Sequence, residues 1–112
     1  MIVSLGRVGI DTPGTLKRAT NNETNPASAY LCHSCMIQSD PDNTGYIYIC
    51  DRSDANKSTM VGVICILGVL TVNSIPSFND TITGAIAAIN LERIWIDSEI
   101  AGDGVIVSAD TA

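Results

Sequence analysis

The stretch Leu91-Glu-Arg-Ile-Trp-Ile-Asp-Ser-Glu-Ile-Ala-Gly-Asp-Gly-Val-Ile-Val-Ser108 decides the fold class of this chain. Ile94 and Ile96 alternate with more polar positions, and alternation at period two is typical of a half-buried strand. Residues 105–107 form a second run that is entirely β-branched, and the glycines between the two runs permit a reversal. The pattern predicts a β-hairpin that ends in a loose, acidic loop. Because an isolated hairpin is marginal in water, the rest of the chain must complete its sheet.

Other segments predict further short strands separated by turns. Residues 30–39 and 46–50 are rich in strand-forming side chains, and the Asp, Pro, Asn and Gly residues of segment 40–45 predict that they form a second hairpin. Pro13 followed by Gly14 is the signature of a type II turn. The whole pattern predicts an all-β protein, an antiparallel β-sandwich or jelly roll, folded as a single domain over residues 1–112.

Several segments leave alternatives open. Residues 60–72 are apolar on both alternating faces, so this strand is expected either to lie centrally between two layers or to carry one face into a neighbouring subunit. Residues 1–10 are apolar and extended, and they predict either an N-terminal arm or an edge strand. Residues 80–90 mix helical and strand signals, and we expect an irregular strand or a single turn there. Residues 21–26 and 51–59 are polar and predict exposed loops.

The composition narrows the classes of function. The chain of 112 residues is 46% hydrophobic but only 16% charged, which is low for a free monomer. Either other copies or a partner cover part of the apolar surface, or a thick two-sheet core carries Ser, Thr and Asn on its outside. The net charge of −6 and the scattered basic residues argue against direct binding to nucleic acid. The N-terminus lacks a signal-peptide pattern and the longest apolar run is too short to cross a bilayer, so we expect a soluble protein made in a cytoplasm, without membrane contact.

The four cysteines are the first candidates for chemistry. Cys32-His-Ser-Cys35 contains one C-x-x-C pair, but a four-cysteine zinc site usually brings two close pairs on turns. On a regular strand Cys32 and Cys35 would point to opposite faces. Cys50 and Cys65 lie within apolar runs, where free cysteine behaves as a small hydrophobe. We therefore favour a structural role for all four, with a metal site, a redox motif and a disulfide as the alternatives.

Other catalytic or metal-binding signals are weak. His33 is the only histidine, and its strand setting favours a hydrogen-bonded core or interface residue over a catalyst. Asp97, Glu99 and Asp103 cluster near the first predicted hairpin, but their spacing matches no calcium loop, and carboxylates on turns are usually only solvated. No nucleophile-elbow, phosphate-binding or zinc-protease motif occurs in the sequence. We therefore expect no enzyme activity, no catalytic residue, no metal and no cofactor.

Trp95 is the residue most indicative of binding. It alternates out of phase with Ile94 and Ile96, which places it on the outer face of its strand beside Arg93 and Asp97. An outward Trp beside an Arg is a combination enriched in interface hot spots; the alternative is that a loop of the same chain covers this face. The predicted interface set also includes two tyrosines and the apolar N-terminus, and consists of Trp95, Arg93, Tyr46, Tyr48, Ile2, Val3 and Leu5.

Four motifs in the last two thirds of the chain resemble the capsid decoration, or cement, proteins of tailed bacteriophages. They are Asn43-Thr-Gly-Tyr-Ile-Tyr-Ile49, Asn73-Ser-Ile-Pro-Ser-Phe78, Leu91-Glu-Arg-Ile-Trp-Ile-Asp97 and Gly102-Asp-Gly-Val-Ile-Val-Ser108. The resemblance implies a β-sandwich, often assembled as a trimer, that sits on the outside of a DNA-filled head where capsomers meet. It brings no catalytic residues, and the Cys32-His-Ser-Cys35 segment is not part of it.

Two functions follow as expectations. The first is a non-enzymatic virion protein, synthesised in the bacterial host cytoplasm, that binds the major capsid protein on the outer capsid surface as a homotrimer and stabilises the head. In that case residues 1–10 are the candidate for an arm lying on the shell or on a neighbour. The second is a receptor- or glycan-binding appendage of a phage head or tail, whose recognition loops would be residues 21–26, 40–45 and 51–59. These loops are poor in the aromatic rings on which sugars normally stack, although Tyr46 and Tyr48 lie next to one of them.

Overall fold

A computed structural model describes residues 2–21, 31–72, 74–81 and 89–110, in which β-strands are the main regular element. A single 3-10 turn, Leu91–Arg93, interrupts the series of strands. Every pairing between the described strands is antiparallel, which confirms the predicted all-β class. In chain order the strands are β1 (Ile2–Gly9), β2 (Lys17–Arg18), β3 (Leu31–Cys32), β4 (Ser34–Ser39), β5 (Ile47–Cys50), β6 (Val63–Leu67), β7 (Ser77–Thr81), β8 (Ile89–Asn90), β9 (Trp95–Ser98) and β10 (Gly104–Asp110).

Eight of these strands form two four-stranded sheets that share one core. The first sheet has the order β1-β10-β4-β7 and the second has the order β2-β9-β5-β6, while β3 and β8 form a separate two-stranded ladder. Side chains from both sheets fill the core, and their removal from water holds the two layers together. They include Val8, Ile37, Val105 and Val107 from the first sheet, and Ile47, Ile49, Leu67 and Ile96 from the second. The antiparallel sandwich is thus confirmed, whereas the jelly-roll connectivity stays a prediction.

Both predicted hairpins are wrong, because the two strands of each predicted pair belong to different sheets. β9 pairs with β5 and β2, whereas β10 pairs with β1 and β4. Likewise, β4 lies in the first sheet and β5 in the second. The turn-rich segments at residues 40–46 and 99–103 are therefore crossings from one sheet to the other. The strands that do form a hairpin are β5 and β6, which are joined through residues 51–62.

The two crossings are hydrogen-bonded to each other. The side-chain amide of Asn43 accepts from the backbone N–H of Gly104 and donates to the Gly104 carbonyl, both at 2.8 Å. The buried carboxylate of Asp103 accepts from the backbone N–H groups of Thr44 at 3.0 Å and Gly45 at 2.8 Å. Buried polar groups are costly without partners, so these bonds hold the crossings in one relative position. Below we call this set of contacts the latch.

β6 lies at an edge of the second sheet, so the central position considered for residues 60–72 is wrong. It pairs with β5 on one side, and no described strand pairs with its other side. Cys65 and Leu67 point inward and contact the core, whereas Ile64 and Ile66 are exposed. One apolar face of β6 is consequently uncovered within this chain.

Residues 1–10 were expected to form either an N-terminal arm or an edge strand. The structure shows the edge strand, β1, in the first sheet. It pairs with β10 from Ile2 to Gly9. The type II turn that follows is confirmed, because the Thr15 N–H donates to the Thr12 carbonyl at 3.0 Å and Gly14 has a φ of +92°, as position three of such a turn requires. The predicted loop at residues 22–26 and most of the ambiguous segment, residues 82–88, lie outside the described residues.

Asp40 connects the start of the first crossing to β1. Its carboxylate accepts from the backbone N–H of Asp42 at 3.0 Å and from Nε of Arg7. These two bonds lower the pKa of Asp40. A carboxyl group whose pKa is lower in the folded state stabilises the fold above its unfolded-state pKa, and this stabilisation is lost as the pH falls through the folded-state pKa.

We expect Asp40→Asn to lower the free energy of unfolding by about 1 to 2 kcal/mol at neutral pH. The difference from wild type should shrink as the pH falls through the folded-state pKa of Asp40, because the wild-type carboxyl group then becomes protonated as well. Urea unfolding across this pH range measures both quantities. Asp42→Asn, which removes an exposed carboxylate from the same turn, is the matched control and should show no such pH-dependent difference. An equal loss for Asp40→Asn at neutral and acidic pH would contradict the ionic contribution.

Candidate functional site

The structure divides the predicted interface residues between the two sheets and does not bring all of them together. Trp95 and Tyr48 lie on β9 and β5 of the second sheet, with Arg93 and Tyr46 just outside these strands. The N-terminal residues lie on β1 of the first sheet. There, Leu5 packs against the core and Val3 is half-buried, while the side chain of Ile2 lies outside the described part of the structure.

Trp95 is covered on one side by an arginine of the same chain. The guanidinium carbon of Arg18 lies 4.9 Å from the centroid of the indole ring, which is within cation–π range. Trp95 itself is half-buried, its neighbours Ile94 and Ile96 are buried, and Arg93 is exposed in the 3-10 turn. Arg18 therefore occupies a ring face on which a sugar would otherwise stack.

The prediction that the loop carboxylates are merely solvated is wrong for two residues. Asp103 is buried in the latch, and Asp97 is only 2% exposed. The Asp97 carboxylate accepts from the backbone N–H groups of Gly14 and Ser98, both at 2.8 Å, and lies 3.7 Å from the Lys57 ammonium. Glu99 is exposed and accepts from the Tyr48 hydroxyl at 3.3 Å. In the described ranges, no group of three or more His, Cys, Asp or Glu residues is arranged to hold a metal.

Cys32 and Cys35 are both buried in the core, because residues 32–35 do not form the regular strand on which the two side chains would point to opposite faces. The strand is interrupted between them at His33, which is exposed. The backbone N–H of His33 donates to the carbonyl of Asp110 at 2.7 Å. The Cys32 thiol donates to the carbonyl of Ile89 at 3.7 Å. Burial raises the pKa of Cys35 to about 12 and that of Cys50 to about 11, which keeps these thiols protonated and poorly nucleophilic. All four cysteines are free thiols in this structure.

Two large apolar side chains of β6 are exposed on its outer face. Ile64 and Ile66 are 50% and 45% exposed, and Tyr48 lies directly opposite Ile66 across the β5–β6 ladder. Tyr46 is also exposed and packs beside Gly68. We call Tyr46, Tyr48, Ile64 and Ile66 the β6 face. The β6 face is therefore a candidate site of contact with another molecule.

The chain that follows β6 projects a second apolar surface. Between Thr71 and Ser74 it reverses direction, since the backbone N–H of each residue donates to the carbonyl of the other, at 3.1 and 3.4 Å. Val72 at this reversal is fully exposed, and Val69, Leu70 and Ile75 on either side are each more than a third exposed. We call residues 68–76 the finger; its residue 73 lies outside the described residues.

β6 is also the least protected of the four sheet edges. Edge strands usually carry charges, prolines or bulges that prevent pairing with another chain. β1 contains Arg7 and a bulge, β2 consists of two basic residues, and β7 follows Pro76 and contains Asp80. β6 has a bulge but no charge, and no charged residue occurs in the sequence between Lys57 and Asp80. Ile64 and Ile66 of the β6 face, and the whole of the finger, belong to this uncharged run.

No family model, no curated protein and no solved structure matches this chain. Within the residues that the structure describes, no helix is long and apolar enough to span a bilayer. The function is therefore inferred from the chain's own surface, in which the β6 face and the finger are the main exposed apolar features.

Proposed function

We propose that this chain is a capsid decoration, or cement, protein of a tailed bacteriophage. In this proposal it is a non-enzymatic structural protein that binds the major capsid protein on the outer surface of the virion as a homotrimer. The observation that carries the proposal is the β6 face, whose two isoleucines lie in the uncharged run. In this chain, whose net charge is −6, Ile64, Ile66 and Tyr46 are exposed and Tyr48 is half-buried. Contact with another protein would remove these apolar side chains from water, which lowers the free energy.

The lack of charge favours a contact between identical copies through the β6 face. Acidic chains repel each other wherever their carboxylates meet. A cyclic contact brings like surfaces of several copies close to one axis, and the β6 face contributes only Tyr and Ile side chains to it. Three copies arranged in this way would bury the exposed halves of Ile64 and Ile66, while the exposed carboxylate of Glu99, which accepts from the Tyr48 hydroxyl, borders the contact.

The pairing of the basic residues supports an outer position, away from packaged DNA. Four of the six basic side chains form ion pairs with carboxylates, namely Arg7–Asp40, Lys17–Asp11, Arg52–Asp51 and Lys57–Asp97. A fifth, Arg18, covers Trp95. A phosphate-binding surface needs several basic side chains grouped together and available, and the described part of the chain presents no such group.

The mechanism of stabilisation would be mass action. A protein that binds the assembled shell, but not the separate capsid subunits, lowers the free energy of the shell in proportion to the occupancy and strength of its sites. No covalent chemistry is required, which agrees with the burial of Cys32, Cys35 and Cys50 in the core.

Heads that carry this protein are expected to retain their DNA at higher temperature and through stronger osmotic shock than heads that lack it. The measurement compares dye-detected DNA release from complete heads, from heads made without the protein, and from the latter after purified protein is added back. Added protein should restore the resistance of complete heads. If heads that lack the protein are as resistant as complete heads, the cementing function is wrong.

A further inference from the structure

Thr20 has a buried hydroxyl group without a hydrogen-bond partner. The residue is 1% exposed, and its Oγ1 atom bonds to no other group in the described part of the chain. A buried polar group in this state is costly, so each such group in a native protein needs an explanation. Thr20 also lines a surface cavity of about 250 Å³, which we call the Trp95 cavity. Its other lining residues are Leu16, Lys17, Arg18, Asn21 and Trp95.

Arg18 supplies the Trp95 cavity with a cation that Trp95 holds in place. The guanidinium carbon lies 4.9 Å from the centroid of the indole ring, and Trp95 is itself fixed between Arg18 of β2 and Cys50 of β5. Arg18 is exposed, and its guanidinium group forms no hydrogen bond or ion pair with the residues that the structure describes. Lys17, by contrast, pairs with Asp11 at 3.2 Å. A guanidinium group positioned in this way loses little conformational entropy when it binds an anion.

The chemistry of the Trp95 cavity fits a carboxylate. A guanidinium group binds a carboxylate through two parallel N–H···O bonds, and the Thr20 hydroxyl can donate to the same group. A single available cation is too little for a nucleic-acid backbone, which requires several. Leu16 and Trp95 add apolar lining, against which the methylene groups of an acidic side chain can pack. The cavity therefore fits the side chain of an aspartate or a glutamate.

The Trp95 cavity is separate from the β6 face. The second sheet has the strand order β2-β9-β5-β6, so a cavity beside β2 and β9 lies at the opposite edge from β6. Copies joined through the β6 face need not cover it. Because the chain has a net charge of −6, an acidic partner is attracted at this cavity and repelled by most of the remaining surface, which would fix the orientation of the contact.

We propose that the Trp95 cavity binds the carboxylate of an aspartate or glutamate side chain of a partner protein, with Arg18 and Thr20 as the residues that hold its oxygens. This inference rests on the proposed function, under which the carboxylate belongs to the capsid shell. The two surfaces then have separate tasks. The β6 face joins copies of this chain to one another, and the Trp95 cavity attaches the assembly to the shell.

The first experiment titrates the full-length protein with N-acetylglutamate amide and with the neutral N-acetylglutamine amide, at constant ionic strength. Trp95 is the only tryptophan, so its fluorescence reports on the cavity directly. We expect a saturable change with the glutamate compound alone, at concentrations on the order of millimolar. Arg18→Gln should bind it at least about tenfold more weakly. Wild-type fluorescence that responds equally to both compounds, or to neither, would overturn the inference.

Two further variants separate the cavity from general effects of charge and folding. Arg93→Gln removes an equal charge from an exposed side chain outside the cavity lining, and it should bind the glutamate compound like wild type. Thr20→Val should bind it several-fold more weakly but unfold at a urea concentration at least as high as wild type, because the substitution removes a buried hydroxyl group that lacks a partner. A clearly less stable Thr20→Val would mean that this hydroxyl has a partner in the free protein, and its assigned role would be wrong.

Co-sedimentation with undecorated heads, assembled from the capsid protein of the same phage, identifies the source of the carboxylate. We expect Arg18→Gln to bind heads at least about tenfold more weakly than Arg93→Gln, with the wild-type oligomeric mass by light scattering. If Arg18→Gln binds heads as tightly as wild type, the inference is wrong while the proposed function survives. If Arg18→Gln has a lower oligomeric mass, a second copy supplies the carboxylate and the assignment to the shell is wrong. If wild type does not bind heads at all, the proposed function itself fails.

Discussion

Replacing Gly104 with alanine is expected to lower the free energy of unfolding by about 3 kcal/mol. A Cβ atom at this position would lie 2.5 Å from the carbonyl oxygen of Val8 and 3.0 Å from the Cα atom of Gly9. Both atoms belong to the backbone of β1, so no side-chain rotation relieves the overlap and β1 must move away from β10. The movement would also disturb the latch, because the Asn43 side chain hydrogen-bonds to both the backbone N–H and the carbonyl of Gly104.

Equilibrium urea unfolding and thermal unfolding measure this loss, which corresponds to a Tm lower by about 10 to 15 °C for a domain of this size. Gly68→Ala is the matched control. A Cβ atom there would meet only the Cε1 atom of Tyr46, at the ordinary distance of 3.9 Å, and a change below about 0.5 kcal/mol is expected. Equal stability of the two variants would mean that β1 and the first crossing shift without cost, and that the latch is not rigid.

The local pattern of the sequence identified the strands but not their partners. The alternation around Ile94 and Ile96 correctly predicted β9, and both side chains are buried. The two hairpins were wrong because Gly, Asp, Asn and Pro suit a sheet-to-sheet crossing as well as a hairpin turn. The deciding interactions are long-range, such as the pairing of Ile2 with Asp110, and alternation within one segment contains no information about them.

The same limit applies to the acidic residues. Asp97 and Asp103 stand in a polar, glycine-containing segment, where solvated carboxylates are the usual case. Each is buried because a distant segment supplies backbone N–H groups to it, from Gly14 for Asp97 and from Thr44 and Gly45 for Asp103. Those partners are about 60 to 80 residues away in the sequence, and no spacing rule connects them.

The surface that carries the proposed function was visible in the sequence only in part. The apolar character of both faces of residues 60–72 was recognised, and so were Tyr46 and Tyr48 as interface residues. Whether such a strand is central or at an edge depends on the strand order of the sheet, which decides whether its second face is covered. The sequence does not predict the finger, because a connecting segment that lies against the surface and one that projects from it have the same local composition. The absence of charge from Ser58 to Asn79 was the signal that could have drawn attention to it.

Under the proposal that copies of this chain form a homotrimer through the β6 face, Ile66→Asp is expected to dissociate the trimer while the subunit stays folded. Ile66 is 45% exposed in the single chain and lies in the middle of the β6 face, opposite Tyr48. In the free subunit an aspartate remains hydrated at this position, whereas in the assembled form its charge would be buried among apolar side chains without a partner. A loss of about 2 kcal/mol at each of three contacts corresponds to a roughly ten-thousandfold weaker assembly constant.

Light scattering over a range of concentrations gives the mass of wild type and variant, and circular dichroism shows whether each retains its strands. Ser53→Asp adds the same charge on an exposed loop of the same sheet and should leave the mass unchanged.

A folded Ile66→Asp variant with the wild-type oligomeric mass would exclude the β6 face as the contact between copies. A wild-type chain that is monomeric at all concentrations would also exclude the homotrimer, and the uncovered isoleucines would then have to be covered by the capsid shell instead. Binding of wild type and variant to heads, measured in parallel, separates these cases. If wild type is monomeric and binds heads, and Ile66→Asp does not bind them, the β6 face contacts the shell.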